Sequence, residues 1–439
     1  MACNLLQGPQ QPVIPTPPPY STAAAPVSDL EPITVLPENV VFNPVSNIVP
    51  AVDPVIGALR DEVSTQQLQS YVQMLESFGT RHTLSVTDRA DYGVGAARAW
   101  LAEEFERVGN GRLQVEVDPF LFTLNGITTE QQNVIATLPG NGSVPGAIVL
   151  VAHYDSRPVD VNDGSSRAPG ANDNASGVAA MLEIARLLSS QEWNMDVIFI
   201  AFAAEEQGAH GSLHFVTERL IDDLGITAVF DNDIVGGRPG IPQSVRVFSP
   251  GPDTSLTRQV VRYLDLIGGL YVPQFGVSMI DAVDREGRYS DHIHFLDVGV
   301  PAMRLTESVE DRDRNHNALD TSDLLDYEYL RQVTQLNLAT IANIIGAPAR
   351  PQPPTISPLE TPGQFLFSWQ VDPEATGYAI SLRPVGRDDF APFRFVNAAE
   401  AGQVVITDLD PTVSYAVSLA ALAENGRLSL FSPEIILQQ

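Results

Sequence analysis

The chain has 439 residues, 44% of them hydrophobic, enough for roughly two or three domains with a sizeable core. Its formal net charge is −29, from 54 acidic side chains against 25 basic ones that are all arginine; this argues against nucleic acid as a partner, because phosphates would be repelled. A single cysteine, Cys3, excludes an intrachain disulfide, and no apolar run reaches the ~18–20 residues that span a bilayer.

Residues 1–53 read as an extended, proline-rich arm, since proline fixes φ and removes backbone donors. No complete signal peptide is visible, but Met1-Ala2-Cys3-Asn4 followed by a polar proline-rich tether resembles the end of a bacterial lipoprotein signal. That reading gives a lipid anchor at Cys3 and an extracellular or cell-surface location. The alternative is a chance cysteine near a terminus. Ile33, Val40, Val41, Phe42, Ile48 and Val49 suit gripping a surface, and a neighbouring copy would make the chain a homo-oligomer or filament through the arm or the β-sandwich.

A globular domain is expected over 54–347. Leu68, Tyr71, Val72, Met74, Leu75 and Phe78 predict an amphipathic helix from Ser64 to Phe78, capped by Ser64 or Thr65. A second helix fits Gly95–Val108. Strands follow at Asn133–Leu138, Ala147–Ala152, Val197–Ala203, Ala228–Ile234 and Val300–Leu305, with helices at Ala175–Leu188 and Tyr327–Ile345. The continuous apolar runs are those of strands buried on both faces. The pattern predicts an α/β fold with a mostly parallel central sheet flanked by helices, whose ligands lie at the carboxyl ends of strands. The proline-rich stretch 348–358 reads as a linker, and 359–439 as a small all-β sandwich built on alternating runs such as Phe365–Trp369 and Tyr378–Leu382.

Five short segments fall at strand ends or in loops of this sheet. His153-Tyr154-Asp155 places a carboxylate two residues from an imidazole, as when a second group fixes the tautomer of a metal-binding histidine. Gly170-Ala171-Asn172-Asp173-Asn174-Ala175-Ser176-Gly177 exceeds what a helix cap requires. Glu205-Glu206 at the end of a buried strand is costly unless one carboxyl rises in pKa or both face cations. Asp231-Asn232-Asp233 and His316 in Asn315-His316-Asn317 are ordinary when taken singly. Together, two histidines and several carboxylates supply the donors zinc accepts, and two bridged zinc ions form a hydrolytic centre.

The order His-x-Asp, Gly-Ala-Asn-Asp-Asn-Ala-Ser-Gly, Glu-Glu-x-Gly-x-x-Gly-Ser, Asp-Ile-Val-Gly, Ser-Asp-His and His-x-x-x-Asp-Thr, across roughly 55–347, resembles the M28 family of zinc peptidases. The resemblance implies a zinc exopeptidase-like fold holding two Zn²⁺. His153, Asp173 and Asp233 would hold one, and Asp173, Glu206 and His316 the other. Glu205 would be the general base, Asp155 would orient His153, and the Asp173–Asn174 peptide would be cis. Strand alternation cannot separate Asp231 from Asp233, and Asp233 is chosen because Asp233-Ile234-Val235-Gly236 matches the family motif. Many family aminopeptidases carry a tyrosine before the last histidine to support the oxyanion. Here Asn315 stands there, with Tyr289 or Arg288 as substitutes. His292 and His294 read as structural or pocket-lining, and His210 as part of a packed turn. Leu409–Tyr415 resembles the tyrosine-corner region of fibronectin type III domains.

The expected function is hydrolysis of peptides or proteins by a two-zinc aminopeptidase. Glutaminyl cyclase-like or carboxypeptidase activity on the same fold is an alternative, as is a surface assembly protein that retains the zinc site.

Overall fold

The structure, a computed structural model, describes residues 30–220 and 225–438. Cys3 lies outside them. The elements in chain order are β1 (Val41–Phe42), α1 (Pro54–Asp61), α2 (Thr65–Ser77), α3 (Val94–Gly109), β2 (Gln114–Leu124), β3 (Ile127–Leu138), β4 (Ala147–His153), α4 (Ser176–Leu188), β5 (Asp196–Phe202), α5 (His210–His214), β6 (Ile226–Asn232), β7 (Ser244–Phe248), α6 (Leu256–Tyr271) and β8 (Gly276–Ile280). The rest are α7 (His292–Asp297), β9 (Ala302–Glu307), α8 (Tyr327–Gly346), β10 (Thr355–Pro358), β11 (Phe365–Ser368), β12 (Gly377–Pro384), β13 (Phe393–Asn397), β14 (Gln403–Ile406), β15 (Tyr415–Leu422) and β16 (Ile435–Leu437).

Eight strands form the central sheet in the order β2-β3-β5-β4-β6-β9-β7-β8. Strands β5, β4, β6 and β9 run parallel at its centre, while β2, β3 and the β7–β9 pairing make the whole sheet mixed. The central strands explain their apolar runs. In β4, Ile148, Leu150 and Ala152 join the core on one face, and Ala147, Val149 and Val151 join the core on the other. β5 divides in the same way. Helix α2 begins where Ser64 accepts from the Gln67 N–H. Its Leu68, Tyr71, Val72 and Leu75 are buried as its periodicity predicts, whereas Met74, counted in the same stripe, is exposed.

The hairpin β2–β3 extends well beyond the short strand expected at 133–138. Its turn is Asn125-Gly126, both residues left-handed at φ 50° and 80°, the geometry of a two-residue hairpin loop.

The C-terminal part is a β-sandwich. One sheet runs β13-β12-β15-β16, all antiparallel, and the other β1-β14-β11-β10. One expectation is corrected here. Thr355–Pro358, read as linker, forms the edge strand β10, and Pro358 is tolerated because it ends a strand on a sheet edge. The described part of the arm grips its own chain: β1 pairs in parallel with β14, Ile33 bridges Leu359, and Ser46 Oγ donates to Asn397 Oδ1 at 2.6 Å.

The sandwich also docks on the α/β part. Tyr263 Oη donates to the Leu428 carbonyl at 2.5 Å, and Arg383 reaches Asp253 at 2.7 Å. Asp53 ties three parts together. Its Oδ1 caps α1 by accepting from the N–H groups of Val55 and Ile56, and its Oδ2 lies 2.8 Å from Arg427 Nε. Because Asp53 is buried, Asp53→Ala removes a cap and strands a guanidinium, and the expected loss is about 3 kcal/mol in urea unfolding. A change below about 1 kcal/mol would show that the arm junction contributes little to stability.

Candidate metal centre

The three central strands deliver the site. His153 ends β4, Asp233 follows β6 by one residue, and Glu205 and Glu206 come three and four residues after β5. Asp173 comes from the irregular turn Ala171–Ala175 before α4, and His316 from the loop between β9 and α8. Non-glycine residues in the left-handed region mark these exits: Ala204 before Glu205, Ile234 after Asp233, and His316 itself. A β-branched residue such as Ile234 adopts that conformation only where its surroundings impose it.

The turn carrying Asp173 is held from every side. Asp320 accepts from the N–H groups of Asn172 and Asp173 at 2.8 and 2.9 Å. Asn174 Oδ1 accepts from Gly177 N at 3.0 Å, and its Nδ2 donates to the Asn232 carbonyl at 2.8 Å. Gly177 is required because a Cβ there would lie 2.1 Å from the Asn232 oxygen. The Asp173–Asn174 peptide is cis.

The side chains converge in two groups that share one residue. His153, Asp173 and Asp233 form the first, and Asp173, Glu206 and His316 the second; within each, the donor atoms lie within 4.8 Å of one another. Asp173 Oδ1 is 3.3 Å from His153 Nε2, and its Oδ2 is 3.1 Å from His316 Nε2. Asp233 Oδ1 lies 3.4 Å from His153 Nε2, and Glu206 Oε2 lies 3.1 Å from His316 Nε2. Glu205 belongs to neither group; its Oε2 is 3.8 Å from His153 Nε2, and it lines a cavity of about 430 Å³ that opens over both groups.

Asp155 does more than face His153. Its Oδ1 is 3.5 Å from His153 Nδ1, and its two oxygens also accept from the N–H groups of Glu205 and Glu206, each at 3.1 Å. The carboxylate thus holds the backbone of the paired glutamates, while His153 Nδ1 lies 3.2 Å from the Asp155 backbone carbonyl.

Family comparison agrees with this geometry. The model of peptidase family M28 matches residues 133–341. A probable zinc metalloprotease of Leptosphaeria maculans is 32% identical over 360 residues, covering 73% of this chain and 84% of the relative. The chain belongs to peptidase family M28. A second probable zinc metalloprotease, from Pyricularia oryzae, is 31% identical over 78% of each chain. Among solved structures, the LapA aminopeptidase of Legionella pneumophila superposes with a TM-score of 0.53 at 22% identity, over 67% of this chain and 76% of that one. The zinc aminopeptidase BSAP of Bacillus subtilis gives 0.52 at 18% identity, over 64% of this chain and 95% of that one. These two likenesses concern the fold.

The chain is thus a zinc-dependent metallopeptidase, and the two groups sharing Asp173 point to a binuclear zinc site. The electrostatics of this M28 centre fit that cargo. Carboxylates buried this close together are costly without cations. Burial disfavours a charged Asp173, yet the two imidazoles hold its carboxyl well below the usual range. Burial also opposes a charge on His316, but Glu206 and Asp173 lift it to about 10; His153 is likewise raised, against burial, by Glu205 and the neighbouring aspartates. Glu206 Oε1 is buried without a hydrogen-bond partner among the described residues. Imidazole and carboxylate donors without thiolates suit zinc.

Asp231 and Asp233 are resolved by the end of β6. Asp231 is still in the strand, and its Oδ2 meets His292 Nδ1 at 3.2 Å. Asp233 lies beyond the strand, where the chain turns toward His153. His292 is buried in that pair, whereas His294 lines the cavity. His210 packs edge-on against Phe122.

Three arginines of the M28 centre escaped the sequence reading. Arg81, fully buried, donates to the carbonyls of Tyr154, Pro169 and Gly170 and so clamps β4 to the Asp173 turn. Arg304, on β9, lies 2.8 Å from Asp233 Oδ2; its field and His153 bring Asp233, against burial, down to about 2. Arg157 lies 3.0 Å from Glu206 Oε2 and 2.5 Å from His316 Nδ1. Arg157 follows Asp155 by two residues, the one positional signal among the three. Arg81 and Arg304 sit in segments with no motif.

Proposed function

We propose that this M28 peptidase is an aminopeptidase in which His153, Asp173 and Asp233 hold one zinc ion and Asp173, Glu206 and His316 the other. The observation that carries the reading is the division of Asp173, one oxygen toward each histidine. When bound, the zinc ions supply Lewis-acid polarisation of the scissile carbonyl and lower the pKa of water.

The chain's own residues then have separate tasks. Glu205 faces the cavity without belonging to either ligand group, and burial, reinforced by Asp233 and Glu206 against the opposing charge of His153, pushes its carboxyl well above the usual range. It accepts a proton from the attacking water and returns it to the leaving amine. Asp155 holds His153 and the backbone of the two glutamates in place. The cavity suits the end of a chain better than an extended polypeptide, at a volume typical of small-ligand sites. We also read the sandwich as a fibronectin type III-like module. Support comes from Tyr415 Oη, which accepts from the Asp410 N–H at 3.2 Å, and from Trp369 packed edge-on against Tyr378.

The test compares N-terminally free and N-acetylated forms of one peptide, with and without a chelator. The expected result is cleavage of the free form alone, lost with the chelator and restored by zinc. Equal cleavage of the acetylated peptide would overturn the aminopeptidase direction, and no hydrolysis by zinc-loaded protein would overturn the activity.

A further inference from the structure

Arginines are the only fixed cations of this chain, 25 against 54 acidic side chains, and four line the cavity over the metal centre: Arg157, Arg285, Arg288 and Arg304. Three have carboxylate partners. Arg157 faces Glu206, Arg304 lies between Asp233 and Asp284, and Arg285 pairs with Asp284 and Glu310. Arg288 differs. It is half-buried on the cavity wall, and its side chain forms no ion pair or hydrogen bond among the described residues.

A guanidinium drawn partly out of water and left without a counter-ion is costly unless something supplies one. The chain has 54 acidic side chains, and none meets this arginine among the described residues. The four carboxylates lining the cavity, Asp173, Glu205, Glu206 and Asp233, are committed to the metal centre. With Asp284 and Glu310, the partners of Arg285 and Arg304, also counted, two dications and four arginines face six carboxylates and leave the cavity net positive. An anionic group is favoured there, and a planar fork of donors suits a carboxylate.

We propose that Arg288 is a specificity residue that binds a carboxylate of the substrate, so that the enzyme prefers an acidic residue at the scissile position. The inference rests on the aminopeptidase reading for the source of that carboxylate, namely the side chain of an N-terminal Asp or Glu. If cleavage proceeds from the other end, the same guanidinium meets the terminal carboxylate.

Two isomers separate these sources. Glutamic acid α-amide carries its carboxylate on the side chain, whereas glutamine carries it at the terminus. Binding of each to the zinc-loaded wild-type chain and to Arg288→Gln is measured by calorimetry, which needs no turnover. The α-amide is expected to bind at least about tenfold more tightly than glutamine to the wild type, and Arg288→Gln to erase the difference. Tighter binding of glutamine that is likewise lost in Arg288→Gln would keep carboxylate recognition and overturn the N-terminal source. Equal binding of the isomers to the wild type, or a preference that survives Arg288→Gln, would overturn the proposal. Because the readout is binding, failure of hydrolysis would count against the peptidase reading and not against this one.

Discussion

Replacing Glu205 with glutamine is expected to lower kcat by about 10²–10⁴-fold, the usual contribution of a general base, and to leave the metal content unchanged. The substitution preserves shape. It also suits burial, since burial already disfavours the charged carboxylate at this position. The Glu205 N–H remains anchored on Asp155 Oδ1, so the loop keeps its place. What disappears is the proton acceptor. Turnover of an aminoacyl-p-nitroanilide, read alongside zinc by plasma emission spectrometry, separates the outcomes. A kcat within about threefold of wild type would remove Glu205 from proton transfer, and a loss of zinc would make it a ligand.

Asp173→Ala has the broader consequence, because one carboxylate serves both groups. Both metal sites are expected to weaken together, with kcat/KM falling by more than about 10³-fold as the hydrolytic centre is lost. His316→Ala is the contrast: it removes a donor from the second group and leaves His153, Asp173 and Asp233 intact. Titration with zinc under a competing chelator distinguishes them. Retention of one tight site in Asp173→Ala would mean that Asp173 does not bridge. The turn should survive the change, since Asp320 grips the backbone of residues 172 and 173 rather than the Asp173 side chain.

Much of this architecture is legible in the sequence, for a definite reason. Strands buried on both faces must be apolar along their length, so β4, β5 and β6 announce themselves, and the polar residues that end them stand out. The Asn172–Gly177 motif is legible because each member has its own packing or hydrogen-bond duty. Gly177 clears the Asn232 carbonyl, and Asn174 holds the start of α4.

The parts that periodicity does not decide obey other rules. Periodicity places Asp231 and Asp233 on one face, but β6 stops at Asn232 and the chain turns, sending one aspartate to His292 and the other to His153. Where a strand ends is set by its neighbours, and those are invisible in a local window. Helix α6 went unread because its apolar residues are interrupted by buried arginines: Arg258 pairs with Asp388 of the sandwich, and Arg262 with Asp253 just before the helix. Arg81 and Arg304 act through partners far away in sequence, so nothing near them signals a role. The hairpin β2–β3 was within reach, since Asn125-Gly126 is a strong turn signal.

Anomalous diffraction at the zinc edge from crystals of the zinc-loaded protein locates the metal ions. Two peaks are expected to flank Asp173, one beside His153 and Asp233 and the other beside Glu206 and His316. A single peak, or two peaks that do not share Asp173, would contradict it.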